Sequence, residues 1–168
     1  MTEMENVQAL VLGIGNLLIG DEGVGCRAVE ELSRRYTLPD SVAVIDGGTA
    51  GFELLPLIDS RDLVILIDAL RNDMTPGTVM MVEGEQVPRA FLARTTPHQL
   101  GICDVLAAAQ LSEIMPKHLT LYGVEPKQMD VGIHLSPEVE AGMEKIIGAV
   151  VDQLRHFGYE VHHNGIES

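Results

Sequence analysis

The chain has 168 residues, of which 46% are hydrophobic, 21% charged and 4% aromatic, with no Trp. That size and balance suit one soluble globular domain with its own core and exclude a disordered or fibrous chain. Eleven Lys and Arg against 25 Asp and Glu leave a net charge of −14, which repels phosphate backbones and anionic lipid. Nucleic acid and membrane are therefore poor partners, whereas a metal, a cationic ligand or a basic protein segment would be favoured.

The opening "MTEMENVQ" is polar and acidic, without the basic start and apolar run of a secretory signal. No apolar run approaches the length of a membrane span, and two cysteines that read as free thiols of a reducing compartment lead to an expected cytoplasmic location. The first strand is predicted over 7–15 ("VQALVLGIG"). A helix follows from about Glu22 to Tyr36, with Val24, Ala28 and Leu32 spaced for one face. Next come a strand at 42–46 ("VAVID"), a short helix over about 52–58 and a strand at 63–70 ("LVILIDAL"). The strand at 78–83 ("TVMMVE") is reached through "RNDMTPG", a Pro-Gly link that predicts a hairpin and so one antiparallel strand. A helix over about 98–114, a strand at 119–125 ("LTLYGVE") and a final helix over about 137–157 complete the series. Ser136 and Pro137 form the start signal of that helix, and Gly158 ends it. The strands are rich in Val, Ile and Leu and barely alternate, as strands buried on both faces do. Strands alternating with helices imply right-handed crossovers. The expected fold is α/β: three layers, α/β/α, around a twisted, mostly parallel sheet of about five strands. One domain is expected over 1–168, with its core at about 7–157 and a loose polar tail at 158–168.

Open α/β sheets place their working groups beyond the carboxyl ends of their strands. Here the first strand leads into "GNLLIGDEG" with Asp21 and Glu22, the second into Asp46 of "DGGTAG", and the third ends at Asp68. "TPHQLG" puts His98 at a helix start. Two or three carboxylates and one imidazole can thus meet at one edge, and Glu, Asp and His suit a divalent transition metal. Without a cation, Glu22 and Asp68 would repel each other. The same residues have structural uses too: acids stabilise the first turn of a helix, Asp68 can bond loop amides, and His98 can cap a helix.

The dinucleotide-binding reading fails. "GIGNLL" has Leu18 where a third glycine belongs, and "GVGCRA" (23–28) follows two carboxylates where a pyrophosphate needs amides. No GxSxG elbow is present. Cys26 and Cys103 read as buried free thiols, although Cys103 with His98 has the makings of a nucleophile and base. His162 and His163 read as solvated tail residues, and Met80 and Met81 as strand core.

Together "GIGNLLIGDEGVG", "DGGTAGFELL", "LVILIDA", "PGTVMMVEGEQVP", "TPHQLGICDVL" and "LTLYGVEP" resemble, in order, the hydrogenase maturation endopeptidases, HybD-like members most closely. The resemblance runs from about Val7 to Val150. It implies a phosphorylase/hydrolase-like sheet sandwiched by helices. It also implies an enzyme that removes the C-terminal extension of the nickel–iron hydrogenase large-subunit precursor, after a His or Arg, once nickel is inserted. Nickel would be supplied by the precursor rather than permanently bound, and would be contacted by Glu22, Asp68 and His98. Asp46 lies in the loop that, with Gly47, Gly48 and Thr49, would present the substrate. Asp46 or Asp68 is the candidate general base for water. Three rivals remain: a non-catalytic nickel-checkpoint module that docks on the precursor, an autonomous metallo-aminopeptidase or amidohydrolase with its own metal, and a plain structural α/β domain, which the clustering of motifs at strand ends disfavours. The choice among hydrogenase isoenzymes is expected to rest on surface loops near 84–97 and 126–135, and the working form is expected to be a monomer.

Overall fold

Every residue of β1 (Ala9–Ile14) is buried, in a computed structural model that describes residues 3–93 and 99–165. A 3-10 turn at Gly20–Gly23 leads into α1 (Val24–Arg35). There follow β2 (Tyr36–Thr37), β3 (Val42–Gly48), a 3-10 turn at Phe52–Leu54 that runs into α2 (Leu55–Ile58), and β4 (Leu63–Ala69). Then come β5 (Val79–Glu83), α3 (Gln86–Leu92), α4 (Gln99–Leu111), β6 (His118–Val124), α5 (Pro137–His156) and β7 (His162–His163). The main sheet has five strands in the order β3-β1-β4-β6-β5. All its neighbours are parallel except β5, which runs antiparallel to β6. The expected α/β/α sandwich is therefore the fold.

The apolar strands form because both faces are covered. On one side α1 and α5 pack Val29, Leu32, Ile146 and Val150 against Val11, Ile65 and Ile67. On the other, α2, α3 and α4 pack Ile58, Phe91, Ile102 and Leu106 against Leu10, Leu12 and Leu66. Each such side chain, fully buried, stabilises the fold by about 1.5–3 kcal/mol relative to exposure. Ser136 caps α5 by accepting from the Val139 N–H, with Pro137 in the first turn, as the sequence indicated. Among the described residues no helix is long and apolar enough to cross a membrane.

Three expectations need correction. The link after β4 is not a hairpin, because β6 lies between β4 and β5. Residues 70–78 run along the end of β6 instead: Leu70 N–H donates to Val124 O, Gly77 N–H to Glu125 O, and Glu125 N–H to Thr78 O. β6 is buried from Leu119 to Val124 and takes the interior position, while β5 exposes Met81 and Glu83 and suits an edge. The stretch near 84–97 contains α3, which buries Val87, Ala90 and Phe91 at helical spacing despite Pro88 near its start. The tail, expected to be loose, is tied to the body as far as Asn164: β7 pairs antiparallel with β2, Asn164 N–H donates to Arg35 O, Val161 is buried, and the His163 ring meets Tyr36 edge-on at 5.1 Å.

One close contact sets the depth of α1. A Cβ on Gly25 would lie 2.2 Å from Ile67 O and 2.3 Å from Ile14 O, so the helix backbone touches the backbones of both β4 and β1. Gly25→Ala is expected to lower the unfolding free energy by about 1–3 kcal/mol through overpacking. Gly148→Ala, on an exposed stretch of α5 with nothing within 4 Å of the new methyl, is expected to raise it by about 0.5–1 kcal/mol. Urea melts of the two variants check both signs; a Gly25→Ala protein as stable as wild type would mean that the helix is not held by this contact.

Candidate active site

The loop after β1 turns sharply at Gly15 (φ 138°), a conformation strained for any side chain. Asn16 N–H donates to Glu22 O and Glu22 N–H to Ile19 O, so the loop doubles back and returns Glu22 to the end of the strand it left. The position a Cβ would take on Gly15 lies 1.8 Å from Glu22 O and 3.8 Å from Asp68 Oδ1. The residue bearing one carboxylate and the carboxylate of the other thus meet at one glycine. Asp68 is fully buried and Glu22 is 8% exposed. Asp68 is also the one acid in β4, a strand otherwise wholly apolar and buried.

Asp46 reaches the same place from β3. Gly13 pairs with Asp46 but Ile14 pairs with Gly48, so Gly47 is an extra residue that bulges the strand. Asp46 Oδ1 accepts from Gly48 N–H at 2.9 Å, Gly48 O accepts from Gly15 N–H, and Ala50 N–H closes the turn onto Gly47 O. The bulge leaves Asp46 and Thr49 exposed. The loop bearing Asp46 is therefore bonded directly to the glycine at which Glu22 and Asp68 meet. The first turn of α4 abuts this loop, with a Cβ on Gly101 falling 3.4 Å from Gly51 Cα. His98 lies outside the described residues. Among the described residues no three of His, Cys, Asp and Glu are grouped so as to hold a metal; the third member of the Glu22, Asp68 and His98 set is the undescribed one.

Asp21, adjacent to Glu22, does different work. It is fully buried and accepts four hydrogen bonds: Lys127 N–H, Gln128 N–H and Ser136 Oγ–H on Oδ2, and Ser136 N–H at 2.7 Å on Oδ1. Rather than serving the α1 N-terminus, it ties down the segment between β6 and α5. Sequence reasoning missed this anchor, and missed Glu125, buried and accepting Asn72 N–H at 2.6 Å.

The cysteines are poor nucleophiles. Cys26 is buried beside Gly15, 3.6 Å from its carbonyl oxygen. Burial first, then a hydrogen bond to Asp46 and the negative charge around it, push its thiol up to about 12. Burial and the neighbouring Asp104 also raise Cys103, which packs partly against the α4-side core. His162 and His163 are exposed, as the sequence indicated, although they pair with β2.

A mostly parallel sheet that gathers acids beyond its carboxyl ends, without a phosphate-binding loop, defines an open-sheet α/β protein with its candidate site where such folds keep their working groups. Comparison with known proteins makes that class specific. The chain belongs to the hydrogenase maturation protease family, whose model matches residues 26–153. It is 46% identical over 155 residues to the hydrogenase 2 maturation protease of Escherichia coli K12, covering 92% of this chain and 94% of that one. It is 40% identical over 157 residues to the hydrogenase expression/formation protein HupD of Rhodobacter capsulatus, covering 92% and 74%. Its fold matches the E. coli hydrogenase maturating endopeptidase HybD with a TM-score of 0.90 at 45% identity over 94% and 98% of the two chains. It also matches a [NiFe] hydrogenase maturation protease HybD from Thermococcus kodakarensis, with a TM-score of 0.72 at 27% identity over 88% and 99%.

The thiol environments predict slow chemistry. At pH 8 the folded protein should react with a disulfide reagent at Cys103 slowly and at Cys26 hardly at all, with both thiols released by denaturant. Fast modification of Cys26 in the folded protein would contradict its burial beside Asp46.

Proposed function

We propose that the protein is an endopeptidase that removes the C-terminal extension from the precursor of a nickel–iron hydrogenase large subunit after nickel has been inserted, acting as a monomer in the cytoplasm. The observation that carries this reading is the meeting of Glu22 and Asp68 at Gly15, in a chain of the hydrogenase maturation protease family. Carboxylate oxygens with an imidazole suit a borderline divalent ion such as nickel. Acids withdrawn from water gain strongly from an arriving positive charge. Nickel held by the precursor supplies that charge, and Glu22, Asp68 and His98 are assigned to contact it.

The remaining roles divide by exposure. Asp68, wholly buried, belongs with the cation. Asp46, exposed and held by Gly48 N–H, is assigned as the base. As water attacks the scissile carbonyl, a C–O bond forms and the water proton passes to the Asp46 carboxylate. When the tetrahedral intermediate collapses, the C–N bond breaks and the departing amine takes up a proton. Gly47, Gly48 and Thr49, beside Asp46 in the bulged loop, are assigned to present the peptide.

The decisive experiment offers nickel-free and nickel-loaded precursor to the purified protein and follows the precursor C-terminus by mass spectrometry. Loss of a short peptide from the loaded form alone is expected. Cleavage of both forms would instead favour an enzyme carrying its own metal, and binding without cleavage a checkpoint module. Glu22→Gln, Asp68→Asn and His98→Ala should each lower processing by about 100-fold or more at unchanged melting temperature. Asp46→Asn should lower kcat by about 100-fold or more if it is the base. Near-normal turnover by any of the four removes that residue from its assigned role.

A further inference from the structure

We infer that the segment 126–136, clamped by Asp21, is the element that recognises the hydrogenase precursor, and that Asp21 is its positioning residue; this inference rests on the preceding reading. One carboxylate closes the segment at both ends, holding Lys127 and Gln128 at its start and Ser136 at its finish. Asp21 N–H adds a bond to Gln128 O at 3.0 Å. Between these ends, Gly20 N–H donates to Gly132 O, Gly132 N–H donates to Leu18 O, and Arg27 donates to Ile133 O. Ile19 and Gly132 form a parallel bridge, whose register sets Leu18 beside Val131.

The result is a fixed crest with apolar residues facing water. Val131 is 92% exposed, Leu18 64% and Ile133 56%. In a chain of net charge −14, a rigid apolar crest of this kind marks a contact surface rather than a folding need. Its position selects the occupant. The loop that carries Leu18 runs directly into Glu22, so the crest is continuous with the proposed site. A peptide crossing that site advances about 3.3 Å per residue. Residues a few positions from the scissile bond, and the precursor surface around them, are thereby brought within reach of Leu18 and the clamped segment. The precursor is expected to meet the crest with apolar side chains.

The test measures binding and cleavage of nickel-loaded precursor by wild type and by the double variant Val131→Asp/Ile133→Asp. Both substitutions fall at exposed positions and leave the core untouched. KM and the dissociation constant should rise about tenfold or more while kcat stays within about twofold and the melting temperature does not move. Asp21→Asn, which turns an amide donor toward Ser136 N–H, should show the same KM-weighted loss if it still folds; the surface variant keeps the test decisive if it does not. Unchanged KM and binding in the double variant would overturn the inference. So would sedimentation showing that wild type self-associates through this crest. If wild type binds the precursor without cutting it, the endopeptidase reading falls while weakened binding by the variant still supports the crest. If wild type neither binds nor cuts, both fall.

Discussion

The close seating of α1 on the sheet is the constraint on which the rest depends. With no side chain at Gly25, the helix backbone comes to rest against the carbonyls of Ile14 and Ile67, the strands on either side of the future site. That contact fixes how deep the preceding turn sits. Asp21 and Glu22 are consequently buried at the level where β1 and β4 end, instead of standing in solvent as acids before a surface helix usually do. A fold often used to bring backbone amides to a phosphate here gathers side-chain acids, with the same strand, turn and helix.

Two adjacent acids in that turn divide the labour. Asp21 is saturated by four donors, and a buried carboxylate so satisfied locks structure firmly, because losing any partner leaves charge stranded in a low dielectric. Glu22 returns to the strand end at Gly15, where Asp68 also arrives. Asp46 is tethered to the same glycine through Gly48, so three acids from separate elements gather around one backbone hub.

The fold was legible in the sequence wherever burial on both faces wrote itself as an unbroken apolar run, as in "LVILIDA" and "ALVLGI". It was illegible where position in the sheet mattered. "TVMMVE" gives no sign that its partner lies beyond residue 117, because a strand's neighbour is decided by which other strand needs a covered edge. Glu22, Asp46 and Asp68 could be picked out because strand ends are where an open sheet keeps its chemistry. The role of Asp21 could not, since its partners lie 106–115 residues away and three of the four donors are main-chain amides, which leave no mark in a sequence. Pairing of the tail was hidden for a related reason: two exposed histidines look polar, while the tether lies in the backbone ladder with Tyr36 and Thr37.

The insertion of β6 between β4 and β5 has a consequence for how the chain comes into being. β5 leaves the ribosome without its partner, since β6 is made only after the stretch 84–117. At roughly 5–20 residues per second that delay is about 2–7 s. During it β4 has one uncovered edge and β5 has no strand to pair with. The nascent chain must therefore either hold β5 apart or be shielded, because pairing β5 directly onto β4 would occupy the slot that β6 requires. α3 and α4, synthesised within that interval, can begin to cover the apolar face of β4 before its last neighbour arrives. The topology makes the C-terminal third of the molecule the latch of the sheet, and a chain released before Val124 would lack the strand that joins β5 to the rest.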